Sequence, residues 1–263
     1  MQTILYQGKK VAYSCKGKGS ALVFIHGFCA DSRMWDDFAP LFPNHKFICV
    51  DLPGFGQSEL QHTSSIEEMA ATVFAVLKHL KIASYVLIGH SMGGYVSLMM
   101  AQQNAAQLKG LCLFHSHPFA DTDEKKVNRQ KSIDFIHRNG HIHFVKQLIP
   151  TLFSFDFSKG YQFEVNKLIF NASKYKPEGI IAALNAMMDR PDQSETLKSL
   201  EVPVLFIIGK EDAAIPHELN LEQIHLPKQA DIQILSAVGH MGMFEAKQKT
   251  NKIIRNYLSD ISF

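Results

Sequence analysis

The first feature of the chain that could do chemistry is a pentapeptide with the pattern G-x-S-x-G, Gly89-His90-Ser91-Met92-Gly93. The apolar run 85–88 before it predicts a strand, and residues 92–103 after it carry apolar side chains at helical spacing. A sharp turn between strand and helix exposes the serine hydroxyl in a strained backbone, and the positions two before and two after it must be small. Ser91 is therefore predicted to be a nucleophile.

A serine hydroxyl reacts well only when a base takes its proton and a third group orients that base. In this architecture the partners are expected in the chain order serine, acid, histidine, each after a later strand. The apolar run 204–208 predicts such a strand, and Asp212 follows it, with Glu211 as the less favoured neighbour. The run 232–235 predicts the last strand, and His240 follows it. Taken alone, Asp212 could be a cap or turn residue and His240 a surface imidazole, but their joint order favours a triad.

Acyl chemistry also needs donors for a developing oxyanion, which are most often backbone N–H groups. The N–H of Met92, directly after the nucleophile, is predicted to be one of them. The N–H of Phe28 is predicted to be the other, because Phe28 follows the apolar run 22–25. His26 in the same loop is interpreted mainly as a residue that holds the loop by side-chain hydrogen bonds.

The elements that must position these residues form an alternating pattern. Short runs rich in Val, Ile, Leu and Phe alternate with helical patterns, which predicts a mostly parallel sheet covered on both faces, of class α/β. The predicted strands after an N-terminal hairpin of residues 3–6 and 10–15 are 21–25, 46–50, 85–88, 110–114, 204–208 and 231–235. Helices are predicted at 66–80 and 92–103, and a closing helix at 243–258.

One stretch, residues 118–196, contains no convincing strand. Helical patterns are found there at 124–138, 142–152, 161–173 and 177–188. The stretch is too long for a loop inside a compact domain. We interpret it as a helical cap, inserted into a core made of residues 1–117 and 197–263.

The substrate pocket is predicted to lie between this cap and the strand ends. Several aromatic rings of the cap, those of Phe153, Phe155, Phe157, Phe163 and Phe170, are candidates to cover its mouth and make it apolar. The residues assigned to the pocket are His26, His115, His117, Phe153 and Phe155. No metal is expected at the histidines, including His141 and His143, because no acid or cysteine completes a ligand set.

Bulk composition narrows the function classes. The chain has 263 residues, 46% of them apolar and 20% charged, with a formal charge of +2. Nothing resembles a nucleic-acid-binding stripe, an apolar segment long enough to span a membrane, or a secretory signal. Four scattered cysteines are typical of reduced thiols. These observations predict a cytoplasmic protein that binds neither nucleic acid nor membrane; the oligomeric state is left open.

The motifs together resemble the α/β-hydrolase superfamily. They are His26-Gly27-Phe28, residues 51–58, the pentapeptide around Ser91, residues 209–212 with Pro216, and Gly239-His240. The resemblance spans nearly the whole chain. It implies an eight-stranded, mostly parallel sheet with a helical cap after the sixth strand, no cofactor, and a structural turn at 51–58.

Within the superfamily the nucleophile narrows the chemistry. A serine disfavours epoxide hydrolases and haloalkane dehalogenases, which use an aspartate, and favours a carboxylesterase acting on small to medium, largely apolar and uncharged esters. A menaquinone-pathway synthase in the superfamily carries an arginine four residues after the nucleophile, where this chain has Tyr95. Arg129 and Arg138 remain alternative anion ligands. A carbon–carbon bond hydrolase, a lyase, a perhydrolase and a small-molecule receptor with slow turnover stay open.

Overall fold

The predicted strands form one eight-stranded sheet in the computed structural model, which describes all residues from 1 to 263. In chain order the strands are β1 (Gln2–Tyr6), β2 (Lys9–Lys16), β3 (Ser20–Ile25), β4 (His45–Val50), β5 (Tyr85–His90), β6 (Leu108–Phe114), β7 (Val204–Gly209) and β8 (Ala230–Leu235). Their order across the sheet is β1-β2-β4-β3-β5-β6-β7-β8. The fold class expected from the sequence is confirmed.

Strand direction determines where functional side chains can meet. The first two strands form an antiparallel hairpin, and β2 also pairs antiparallel with β4. All other neighbours, from β4 through β3 to β8, are parallel. The carboxyl ends of these six strands therefore lie at one edge of the sheet, where ligands bind in open α/β sheets.

Helices outside the cap cover the sheet. They are α1 (Ile66–His79), α2 (Met92–Gln103), α9 (His217–Gln223), α10 (Gly242–Glu245) and α11 (Lys247–Ser259). Ser65 caps α1, since its side chain accepts a hydrogen bond from the N–H of Glu68. The closing helix differs from the prediction because Ala246, with φ −135° and ψ 42°, divides it into α10 and α11.

Six helices lie between β6 and β7, in the stretch that the sequence predicts to be a helical cap. They are α3 (Asp123–Asn139), α4 (His141–Thr151), α5 (Phe155–Gly160), α6 (Gln162–Ala172), α7 (Pro177–Asp189) and α8 (Ser194–Ser199). The sequence pattern missed the two six-residue helices α5 and α8, which are too short to show periodicity. The cap boundary placed after residue 196 falls inside α8.

The hydrophobic core is continuous from the sheet into these helices. Phe24 on β3 stacks on Phe47 of β4 with ring centroids 4.2 Å apart, and Ile136 and Val145 of α3 and α4 belong to the same buried cluster. All four cysteines carry unpaired thiols. No helix has both the length and the apolar character that crossing a bilayer requires.

Candidate active site

Ser91 lies at the turn between β5 and α2 in a backbone conformation that is rare for a residue with a side chain. Its φ is 51° and its ψ is −116°. A Cβ on Gly89 would collide with the carbonyl oxygen of Gly93, and a Cβ on Gly93 would collide with that of Ile25 on the neighbouring strand. Only glycine therefore fits at these two positions, as the sequence pattern predicted. The local strain is consistent with a functional site.

Asp212 and His240, predicted after β7 and β8, meet at the carboxyl edge of the sheet. The Nδ1 atom of His240 lies 2.8 Å from Oδ2 of Asp212, and both side chains are buried. The other oxygen, Oδ1, accepts hydrogen bonds from the N–H groups of Ala214 and Ile215 at 2.9 and 3.0 Å. Burial raises the pKa of Asp212, but the two imidazoles of His240 and His115 outweigh it and hold that pKa well below its ordinary value. The carboxylate is thus ionised at neutral pH.

His115 is a second imidazole on the same carboxylate, a role that the sequence did not indicate. The N–H of Gly242 donates to its Nε2 at 3.2 Å, so in the neutral ring the proton is on Nδ1. That Nδ1 lies 3.3 Å from Oδ2 of Asp212. His115, Asp212 and His240 have potential metal-ligand atoms within 4.8 Å of one another. Their closeness is explained by two imidazoles sharing one carboxylate, so we assign no metal site here.

We expect His115→Asn to lower kcat/KM about tenfold, because the Asp212 carboxylate loses its 3.3 Å contact with the His115 imidazole. Asparagine tolerates the φ of 48° at this position but is too short to replace the imidazole contact. Without the His115 N–H, the Asp212 carboxylate keeps only one imidazole contact, so the dependence of kcat/KM on pH should differ from that of the wild type. The measurement is kcat/KM against pH for a p-nitrophenyl ester, with the exposed His143→Asn as control. An unchanged profile would make His115 a packing residue only.

The loop that carries His240 is held by three backbone contacts to one carboxylate. Glu245 accepts hydrogen bonds from the N–H groups of Gly239 and Met241 at 3.0 Å and from that of Ser154 in the cap at 2.9 Å. His90, next to Ser91, has its Nε2 2.9 Å from the carbonyl oxygen of His240. The cap, the His240 loop and the turn at Ser91 are therefore joined by hydrogen bonds.

The two predicted oxyanion donors are both without an acceptor in the protein. Neither the N–H of Met92, at the first position of α2, nor the N–H of Phe28 donates a hydrogen bond. His26 holds the Phe28 loop: its Nε2 accepts from the N–H of Leu52 at 2.8 Å, and its Nδ1 lies 2.8 Å from the carbonyl oxygen of Gly27. These contacts match the loop-holding role predicted for His26.

Ser91 and His240 line one cavity of about 260 Å³ between the sheet edge and the cap. Its apolar wall comes from the core and two cap segments and contains Phe28, Phe144, Leu148, Leu152, Leu184, Met187, Ala214 and Ile215. Ser91 Oγ makes no hydrogen bond with a protein group. Ser91 Oγ is therefore not bonded to His240 in this structure, and catalytic hydrogen bonds are often long in the absence of substrate.

The five residues assigned to the pocket from the sequence do not line this cavity, which corrects that assignment. His26 and His115 are buried behind it in the contacts described above, and His117 lies beneath Tyr95, with its Nε2 3.2 Å from the Tyr95 hydroxyl. Phe153 is buried in a stack with Phe157. Phe155 is exposed on the outside of the cap, where the ammonium of Lys159 covers its ring.

Other cap residues considered from the sequence also differ in whether they line the cavity. Phe163 and Phe170 are 78% and 62% exposed and point away from the cavity. Arg138 is exposed and donates to the backbone of its own helix, whereas Arg129 does line the cavity. The residues that sequence reasoning missed include Phe144, Leu148 and Leu152, whose spacing of four along α4 and just beyond it was the available signal.

Buried histidines around the site make stability depend on pH. Burial lowers the pKa of His26, His90, His115 and His117, so each is neutral in the folded protein. In the unfolded chain each titrates near its ordinary value of about 6.5. Below that pH the unfolded state binds more protons than the folded state, so stability falls as pH falls.

We therefore expect the thermal unfolding midpoint to decrease between pH 7.5 and pH 5.5. Each histidine that stays neutral in the folded state removes up to about 1.4 kcal/mol of unfolding free energy per pH unit below its unfolded pKa. Carboxyl groups titrate mainly below this window. The measurement is calorimetry or circular dichroism across the range, and a flat profile would contradict the neutral assignment.

Comparison with known proteins identifies the class to which this fold and site belong. A family model described as alpha/beta hydrolase fold matches residues 20–247, and the chain belongs to this family. An esterase from Thermogutta terrifontis, solved with malate bound, superposes with a TM-score of 0.92 at 27% identity over 98% of both chains. An enol-lactonase from Burkholderia xenovorans LB400 shares the fold, with a TM-score of 0.91 at 20% identity over 98% of this chain and 100% of that one.

Two curated relatives have other names. The dihydrolipoyllysine-residue acetyltransferase component of the acetoin cleaving system of Pseudomonas putida is 30% identical over 249 residues, 91% of this chain and 64% of that protein. This chain thus spans less than two thirds of that relative. A 2-succinyl-6-hydroxy-2,4-cyclohexadiene-1-carboxylate synthase from Enterobacter sp. (strain 638) is 27% identical over 217 residues, 78% of this chain and 82% of that one. The family is therefore established, while these names leave the reaction open.

Proposed function

We propose that the protein is a serine hydrolase, specifically a carboxylesterase, that cleaves esters through an acyl-enzyme intermediate with Ser91 as nucleophile. The observation that carries this proposal is the joint presence at one apolar cavity of a strained serine turn and an imidazole bonded to a buried carboxylate. The similarity to an esterase at 27% identity supports it.

In the first half of the reaction, His240 Nε2 takes the proton of the Ser91 hydroxyl as Oγ attacks the ester carbonyl carbon. The carbonyl oxygen becomes an oxyanion and accepts hydrogen bonds from the N–H groups of Met92 and Phe28, which have no other acceptor. His240 then gives the proton to the departing alcohol oxygen. The C–O bond breaks and the acyl group remains on Ser91.

In the second half, a water molecule attacks the acyl carbon while His240 again accepts the proton. The tetrahedral intermediate collapses, the acid leaves, and the proton returns to Ser91. Asp212 keeps the His240 proton on Nδ1, so that Nε2 can act as base, and stabilises the imidazolium that forms twice per turnover. No cofactor is required at any step.

The walls of the cavity support a substrate whose body is small to medium and apolar. The cavity above Ser91 is lined by apolar side chains of α4 and α7 and of the residue after α4: Phe144, Leu148, Leu152, Leu184 and Met187. A volume of about 260 Å³ suits short or medium acyl groups better than long chains. We expect activity to rise from acetate to butyrate and to decrease at octanoate.

The test of this proposal is a burst-phase assay with p-nitrophenyl acetate, butyrate and octanoate. A rapid release of one equivalent of p-nitrophenol, followed by steady turnover, is the expected result. If deacylation is faster than acylation, an acyl-enzyme mechanism releases p-nitrophenol without a burst. Single-turnover kinetics with excess enzyme therefore complete the measurement. A burst without turnover would favour a receptor, and absence of any reaction would contradict the carboxylesterase proposal.

A lyase is the second candidate, favoured by the 27% identity to a relative named as a carboxylate-forming synthase. The same serine, histidine and aspartate could remove a substrate proton and expel a leaving group without an acyl-enzyme. Product analysis separates the two, because an esterase consumes one water per turnover and incorporates ¹⁸O from labelled water into the acid. A carbon–carbon bond hydrolase also incorporates ¹⁸O from water into its acid product, but its substrates are ketones rather than esters. A perhydrolase would need peroxide as a second substrate.

We also propose a cytoplasmic location, supported by four unpaired cysteines. We propose in addition that the protein binds a small-molecule substrate and binds neither nucleic acid nor a membrane. Cell fractionation with a periplasmic or secreted marker tests it, and recovery outside the cytoplasm would contradict it.

A further inference from the structure

One face of α3 makes part of the cavity wall polar and cationic. The cavity-lining residues of this helix are Lys125, Asn128, Arg129 and Ser132, called here the α3 strip. Their spacing of three and four places them on a single side of the helix. The opposite walls are apolar, so the α3 strip contrasts with the rest of the cavity. The strip belongs to the cap helix α3, and Ser91 lies at the edge of the sheet, so the strip is on the cap side of the cavity.

The charges around the strip do not cancel. Asp121 is buried and accepts hydrogen bonds from two guanidinium groups, those of Arg129 and Arg190, the latter at 2.7 Å. One carboxylate thus serves two cations. Lys125 adds a third positive charge, and its ammonium makes neither an ion pair nor a hydrogen bond with the protein.

Partial burial makes this unpaired charge costly. Burial lowers the pKa of Lys125, and the charges of Arg190 and Arg129 lower it further, against the opposite effect of Asp121. A half-buried ammonium without a partner is destabilising, and an incoming anion would relieve that cost. The Asn128 side-chain amide supplies a neutral donor on the same face, a combination suited to a carboxylate, whereas the Ser132 hydroxyl donates to the carbonyl oxygen of Asn128.

We propose that the α3 strip binds a carboxylate of the substrate, so that the preferred ester has an apolar body and an anionic group remote from the scissile bond. This inference rests on the proposed function for the position of the scissile bond, and it refines the expectation of an uncharged substrate. Lys125 is the main anion ligand, because Arg129 is already engaged with Asp121. The strip fixes the cap-side end of the substrate while Ser91 attacks the other end.

The experiment compares matched neutral and anionic esters. One pair places the carboxylate on the acyl side, p-nitrophenyl valerate against mono-p-nitrophenyl glutarate, which have acyl chains of equal carbon number. A second pair places it on the alcohol side, phenyl butyrate against 3-carboxyphenyl butyrate. For at least one pair, Lys125→Gln is expected to lower kcat/KM of the anionic member about tenfold, through KM, and to leave the neutral member unchanged.

Controls separate a specific contact from a change in net charge or folding. Lys126→Gln makes the same charge change one residue away on an exposed side of α3 and should have no effect. Lys125→Arg should retain the preference, and added salt should weaken it. The inference is overturned if Lys125→Gln leaves both anionic members unchanged, or lowers both members of each pair equally.

A binding measurement decides the inference independently of turnover. The same esters are titrated calorimetrically into Ser91→Ala, with and without Lys125→Gln. Tighter binding of the anionic member that depends on Lys125 supports the α3 strip even if wild-type protein hydrolyses no ester. Conversely, Ser91-dependent hydrolysis without any such binding preference would support the proposed function and reject the anion site.

Discussion

Replacement of Ser91 by alanine is expected to lower kcat for ester hydrolysis by a factor on the order of 10³ to 10⁶. The substitution removes one oxygen atom, and with it both the bond to the acyl group and the proton that His240 accepts. Steady-state hydrolysis of p-nitrophenyl butyrate measures the effect. Residual activity should show no burst, because no acyl-enzyme can form.

The fold should survive this change, since Ser91 Oγ makes no hydrogen bond with the protein. Thermal unfolding of Ser91→Ala should therefore stay close to that of the wild type. Ser199→Ala, an exposed serine at the end of α8, is the matched control and should keep full activity. Near-normal hydrolysis by Ser91→Ala would reject the nucleophile assignment.

Replacement of Asp212 by asparagine is expected to lower kcat by a factor on the order of 10⁴. The amide nitrogen of asparagine can donate a hydrogen bond to His240 Nδ1, which would put the imidazole proton on Nε2. That tautomer cannot accept the proton of Ser91. The loss should appear in kcat more than in KM, because Asp212 lies behind the imidazole, outside the cavity lining.

The neighbouring acid provides a matched control for the aspartate. Glu211→Gln makes the same chemical change one residue earlier, at an exposed position. We expect that variant to keep its activity, which would also exclude the alternative acid considered from the sequence. Full activity in Asp212→Asn together with loss in Glu211→Gln would exchange the two roles.

The positions of Ser91, Asp212 and His240 were predictable because each follows a strand of a parallel sheet. Short apolar runs mark such strands, and parallel strands bring their carboxyl ends to the same edge whatever the distance between them in the chain. Two small positions around Ser91 then specified the turn. The approach of Asp212 to His240, at 2.8 Å, is thus a consequence of topology.

The pocket could not be predicted in the same way, because it depends on which face each cap helix turns toward the sheet. Phe155 and Phe163 belong to α5 and α6, which expose those aromatic rings, and the large apolar side chains gave a misleading signal. The α4 helix had a usable signal in Phe144 and Leu148. In α3 it is a polar face, with Lys125 and Arg129, that lines the cavity, so apolar periodicity could not identify it.

The contacts by which Glu245 and His115 position other residues of the site could not be predicted from the sequence either. Glu245 holds the N–H of Ser154, 91 positions earlier in the chain, and His115 reaches Asp212 only because β6 and β7 are neighbours. Neither contact has a local pattern. The sequence identified His115 as a pocket residue, whereas the geometry gives it a contact with the acid.

Formation of an acyl group on Ser91 is the central claim, and intact-protein mass spectrometry after rapid acid quench tests it most directly. Wild-type protein mixed with p-nitrophenyl butyrate should gain the mass of one butyryl group, and peptide mapping should locate that group on Ser91. The Ser91→Ala protein should gain nothing under the same conditions. The quench is also done at low pH with saturating substrate, where deacylation is slow. A butyryl group on another residue would contradict the account. Wild-type turnover without any acylated protein under these conditions would also contradict it.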